Sequence, residues 1–246
     1  MGTKHNLKAL PMTAVVSLAL VALSGCTDDA TTDGNAAPVA ALHVPEDTAW
    51  TDEALVFDAQ AATDPDGDVT RWTFDFGDGK TMQVDNADEA RVEHAYDQGG
   101  EYTVTVTVAD DGGENGPTLT DAATHTVAIN ERHVLPSEAL YALPAGNQSS
   151  TSTTEFATRT GIDGFRLELD IEGATLTGTS EIVVRLTGPG GVVVQEQVVE
   201  VDAGETEELR LDGDLDIVGD HAVELEANSG ATLVSGQLLL YYDQGF

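Results

Sequence analysis

Apolar residues along this 246-residue chain recur at every second position rather than at the three-to-four spacing of a helix. Val104, Val106 and Val108 alternate with Thr103, Thr105 and Thr107. Phe165, Leu167, Leu169 and Ile171 alternate with Arg166, Glu168 and Asp170. A period of two puts one set on each face of a strand, so these runs read as half-buried strands. Asp-Pro-Asp-Gly, Gly-Asp-Gly and Asp-Gly-Gly separate such runs and supply turn conformations. Short strands with frequent turns predict an all-β chain of two antiparallel β-sandwich domains. The pattern places the first over 38–130 and the second over 134–246. Strands of the second are expected at 164–172, 181–187, 192–201, 205–211, 221–227 and 232–242. The Ser/Thr-rich stretch 147–160 reads as an exposed loop or edge.

The first 37 residues break this pattern. Lys4 and Lys8 precede an apolar run from Ala9 to Leu23, then Leu23-Ser24-Gly25-Cys26. About 15 apolar residues suit the core of a signal peptide and fall short of the ~20 a membrane span needs. The four residues ending at Cys26 resemble a lipobox, the prokaryotic lipoprotein cleavage site. The resemblance implies removal of residues 1–25, lipidation of Cys26, and attachment to the outer, extracytoplasmic face of the cell membrane. An ordinary signal peptide with a chance Cys is the other reading. Residues 26–37 are small and polar, and read as a flexible linker.

A second resemblance covers about 90 residues. Trp72-Thr73-Phe74-Asp75-Phe76-Gly77-Asp78-Gly79 is followed by His94-Ala95-Tyr96, then by Gly100-Glu101-Tyr102 and the Thr/Val strand ending at Asp110-Asp111. This resembles the PKD domain, an Ig-like sandwich. Phe74 stands where that family usually has Trp. The resemblance implies structural roles for Phe74, Asp75, Gly77, Asp78, Gly79, His94, Tyr96 and Tyr102. Trp72, Phe74 and Phe76 fall on one face and belong in the core. Asp75, beside the turn, is expected to accept backbone N–H bonds, and Tyr102 resembles the tyrosine corner of sandwiches. The second domain is expected to be jelly-roll-like or Ig-like; its strand pattern resembles the C-terminal jelly-roll domains of secreted proteases.

Charge changes the picture of the environment. The chain has 10 Lys+Arg against 44 Asp+Glu, a net charge of −34. Loss of residues 1–25 removes two lysines and no acid, leaving Lys80 as the one lysine. Such a surface repels phosphate backbones, so no nucleic acid partner is expected. A single Cys excludes an internal disulfide framework. The acids are interspersed rather than run together, which points to a general surface property of a salt-adapted prokaryote, most simply an archaeon.

Candidate chemistry is sparse. Asp64, Asp66 and Asp68 alternate on a turn and are candidate calcium ligands; local turn bonding is the other reading. Asp110-Asp111 could contribute to a second cation site. His43, His94, His125, His133 and His221 form no metal-type pair. Asn147-Gln148-Ser149 is a glycosylation sequon. Trp50, Tyr141, Tyr241 and Tyr242 are aromatics that could stack on sugars. These residues lead to the expectation of a non-catalytic, lipid-anchored cell-surface protein. It would act in adhesion, envelope organisation or ligand binding, with envelope proteins or glycans as partners. The alternative is an accessory or catalytic part of an exported protease or glycoside hydrolase.

Overall fold

The computed structural model describes residues 34–112, 116–142 and 149–242. The segment read as a signal peptide, Cys26 and Asn147 lie outside them. The described chain is built of strands with two short 3₁₀ turns.

Seven strands carry the first sandwich: β1 (Thr48–Trp50), β2 (Ala54–Asp58), β3 (Val69–Asp75), β4 (Thr81–Val84), β5 (Arg91–Ala95), β6 (Gly100–Asp110) and the start of β7 (Thr120–Ala142). β4, β3, β6 and β7 pair antiparallel in that order, and β1 joins the far side of β7 in parallel. β2 and β5 form the facing sheet. Alternation in β3 and β6 turns Trp72, Phe74, Val104, Val106 and Val108 inward against Phe57, Phe76 and Tyr96. Trp72 also donates its indole N–H to the Ala59 carbonyl, which satisfies the one polar atom of a buried ring.

The second sandwich comprises β8 (Thr151–Thr158), β9 (Gly164–Gly173), β10 (Thr179–Gly188), β11 (Val192–Asp202), β12 (Thr206–Asp214) and β13 (Gly219–Tyr241), with the end of β7. The 147–160 stretch thus contains an edge strand, β8, paired only to β13. β13 serves both sheets. Its first half lies between β8 and β10, and its second half between β7 and β9. The change of sheet falls at Gly230, with φ of +69°, where a Cβ would lie 2.3 Å from Ser180 Oγ. Only glycine fits such a corner. Phe165, Leu167, Leu169, Ile171, Ile182, Val184, Leu186, Leu238 and Leu240 fill the core.

Two boundaries differ from the sequence reading. Glu131–His133 was expected to separate the domains, yet β7 runs through without interruption. It pairs with β6 up to Ile129 and with β13 from Glu131 onward. The strand continues because Ile129 and Leu135 each enter one of the two cores. Asn35 and Ala36 were expected in the linker, yet both bond to acids of the first sandwich.

Candidate functional site

The motif residues around Gly77 form a continuous polar and aromatic stack. Asp75 accepts the Gly77 N–H at 2.9 Å. Gly77 has φ of +80°, and a Cβ there would lie 2.7 Å from the Thr103 carbonyl oxygen. Asp78 accepts the Lys80 N–H and lies 2.9 Å from His94 Nε2. Burial raises the Asp78 pKa, but the Lys80 N–H and the His94 contact outweigh it, so the carboxyl sits below its ordinary value. His94 stacks on Phe76 at 3.9 Å and meets Tyr96 edge-on. Tyr96 donates to the Phe76 carbonyl, and Tyr102 donates to that of Gln98, four residues upstream. Each of these polar groups is spent on holding the fold.

The acidic turn is arranged differently from its sequence pattern. Asp64 Oδ1 accepts the N–H groups of Asp66 and Gly67. Asp66 accepts the Ala36 N–H through both oxygens. Asn35 donates to Asp110 Oδ2 and to the Pro117 carbonyl. β3 pairs Val69 with Asp110, so the two acidic segments meet. Gly67 abuts the Asp111 carboxylate: a Cβ there would come within 2.8 Å of it. The two acidic segments are bridged by the start of the domain, with Asn35 on Asp110 and Ala36 on Asp66.

Two oxygens in this cluster, Asn35 Oδ1 and Asp64 Oδ2, are buried without a hydrogen-bond partner. A buried acceptor lacking a donor is disfavoured, and a hard cation satisfies such oxygens. Among the described residues no three His, Cys, Asp or Glu side chains stand together in metal-holding geometry. Asn35 was missed because nothing local marks it; it lies 75 residues from Asp110.

Comparison with known proteins fits this architecture. Residues 35–127 match the PKD domain family. The first sandwich is a PKD domain. A microbial collagenase of Vibrio alginolyticus is 37% identical over 78 residues, covering 32% of this chain and 8% of that protein. The chain thus spans less than a tenth of that relative's length. The PKD1 domain of Vibrio anguillarum Epp is 29% identical over 39% of this chain and 98% of that one, with a TM-score of 0.29. A structure of carbohydrate-binding modules from the β-sandwich superfamily is 14% identical over 82% of this chain and 96% of that one, with a TM-score of 0.34.

The four aromatics proposed for sugar stacking do not share one platform. Tyr242 is buried at the junction, where it donates its N–H to Asn130 Oδ1 and its hydroxyl oxygen accepts the Arg159 N–H. Trp50 of the PKD domain meets Tyr241 edge-on at 5.6 Å, with Arg132 over the Trp50 ring. Tyr141 is exposed.

The remaining junction contacts centre on Glu131. It accepts the Gly99 N–H and lies 3.2 Å from His133 and 3.7 Å from Arg159. Burial raises its pKa, but these partners outweigh that and leave it below the ordinary value. Its contribution is therefore present above the ordinary carboxylate range and is lost as pH falls through the lowered value.

Proposed function

We propose that this is a non-catalytic, lipid-anchored protein of the extracytoplasmic surface, which presents a PKD domain and a second sandwich to envelope proteins or glycans. The observation that carries this reading is the PKD domain itself, a module of extracellular proteins whose polar motif residues here serve the fold. Cys26 after an apolar leader supports the anchor, and the acid excess supports a salt-rich exterior. Cys26→Ser is expected to move the protein from the membrane fraction to the soluble exported fraction. If the variant stays with the membrane, the anchor lies elsewhere. The likeness to collagenase segments favours a second reading, an accessory unit of an exported protease.

The acidic cluster around Asp64 is proposed to take calcium at the unpartnered Asp64 Oδ2, fastening the start of the PKD domain. With an affinity of about 10⁻⁴ M, of the order found in extracellular modules, 10 mM calcium would raise the melting temperature by roughly 5–11 °C. Asp64→Asn should abolish that rise, whereas Asp68→Asn should preserve it. A calcium effect equal in wild type and Asp64→Asn would rule out the cluster.

A further inference from the structure

Among the described residues, seven of the eight Lys and Arg side chains form ion pairs with carboxylates. Arg132 is the exception: it has no carboxylate partner there, although acids outnumber bases 44 to 10 in the chain. Its side chain is exposed, and its guanidinium lies 5.1 Å from the centre of the Trp50 ring. A guanidinium held over a ring face keeps its N–H groups for an acceptor.

Strand register fixes what stands beside it. Arg132 of β7 pairs with Leu239 of β13, and Leu239 pairs with Arg166 of β9. Leu238 and Leu240 enter the core, so Leu239 and both arginines face outward. Leu239 is still only 6% exposed, because long side chains flank it on both sides. Tyr241 shares this face, meets Trp50 edge-on and lies 5.7 Å from the Arg166 guanidinium, which Asp212 holds. In the next row, Val134, Gln237, Glu168 and Arg210 pair in line across four strands, with Asp170 opposite Glu208 beyond them. These side chains alternate in step with Arg132, so they open on the same face. They wall a groove of about 600 Å³, within the small-molecule range. Gln237 donates to Glu168 at 2.8 Å and fixes one wall. The step along β7 from Arg132 to Val134 is about 7 Å, so an extended ligand of more than one unit spans both.

The unpaired guanidinium selects an anion, and the groove limits which one. A guanidinium fork matches a carboxylate or a phosphate. The field of a chain at −34 repels a dianion about twice as strongly as a monoanion, which favours the carboxylate. In the groove, Glu168, Asp170 and Glu208 repel a run of acids but accept hydrogen bonds from hydroxyl groups. A peptide acidic throughout is therefore disfavoured, whereas a sugar chain with one acid among its hydroxyls suits both parts of the face. We propose that this face binds an oligosaccharide containing a uronic acid, with its carboxylate on Arg132 and the hydroxyls of the neighbouring sugar units in the groove. The glycan class rests on the surface-binding reading above; the unpaired guanidinium and the groove do not.

The test uses the full chain in a sugar-free zwitterionic detergent at about 1 M KCl, where long-range repulsion is screened. The readout is the pair of tryptophan indole N–H signals, Trp50 at the site and Trp72 in the PKD core. The probes are hyaluronan tetrasaccharide, unsulfated chondroitin tetrasaccharide and glucuronosyl-xylotriose, each beside its carboxyl-reduced form, and triglutamate. At least one acidic sugar should shift Trp50 at millimolar concentration and leave Trp72 in place. Reducing its carboxyl should weaken binding about tenfold or more, and so should Arg132→Gln, an exposed change that should leave the melting temperature as it is. Asp170→Ala, in the groove, should weaken binding about threefold. No Trp50 shift with any acidic sugar up to about 50 mM, equal binding of the reduced form, or binding unchanged by Arg132→Gln overturns the proposal. A shift with triglutamate and with none of the sugars also overturns it, while leaving a surface that binds envelope proteins. Retention of Cys26→Ser in the membrane would overturn the anchor instead and leave this site standing.

Discussion

Replacing Phe76 with alanine is expected to destabilise the protein by about 3–5 kcal/mol, the usual range for removing a buried aromatic ring. Phe76 is 1% exposed and touches Phe57, Phe74 and His94. The cavity would also unseat His94 from its stack and loosen its contact with Asp78. The second sandwich should melt together with the first. β7 belongs to both, and Asn130, which is 4% exposed, takes the Tyr242 N–H across the junction. Arg159 adds a bond to the Gly99 carbonyl. Calorimetry should therefore show one transition, lowered by roughly 10 °C. Two transitions, one at the wild-type temperature, would mean that the junction does not couple the sandwiches. Asn130→Ala with Arg159→Ala is expected to produce that split, because the first leaves a buried N–H unsatisfied.

Salt should matter about as much. With 44 acids against 10 basic side chains, repulsion in the folded state acts over a screening length of roughly 10 Å at 0.1 M salt and 3 Å at 1 M. Strand alternation turns Asp170, Glu172 and Glu208 to the same exposed face, so the charges crowd outward. The exposed pairs Arg166–Asp212 and Arg210–Asp212 weaken with salt, but such pairs contribute about 0–1 kcal/mol each. Repulsion therefore wins the comparison. The melting temperature is expected to rise on going from 0.05 to 2 M KCl, by about 2–4 °C for each kcal/mol of repulsion relieved. A melting temperature that is flat or falls across that range would show that the acid excess is not a stability problem salt resolves.

The PKD domain was legible because its signals are local. The spacing of Trp72, Phe74 and Phe76 forces a shared face, and Gly77 follows from one strained turn. The same holds for β9, whose apolar residues alternate with charged ones along a single strand. β13 was harder to read. The sequence reading gives two strands, 221–227 and 232–242, and only the facing partners show one strand changing sheets. The boundary between 130 and 134 was hard to place for a related reason: Glu131–His133 form the waist of a strand whose ends enter different cores.

The candidate sites divide in the same way. Asp64, Asp66 and Asp68 were chosen because they alternate along the chain, yet Asp64 is bound by the local N–H groups of Asp66 and Gly67, while Asp66 takes the distant Ala36 N–H and neighbouring Asn35 reaches Asp110. His221 looked like an isolated histidine, and nothing near it marks its burial against Phe156. Strand character, the aromatic core of the first sandwich and the surface charge follow from the sequence by itself, because period, turn chemistry and composition are properties of neighbouring residues. The contacts of the acidic turn, the junction between the sandwiches and the burial of His221 were decided by tertiary structure, because each is made of groups that only the pairing of distant strands brings within reach.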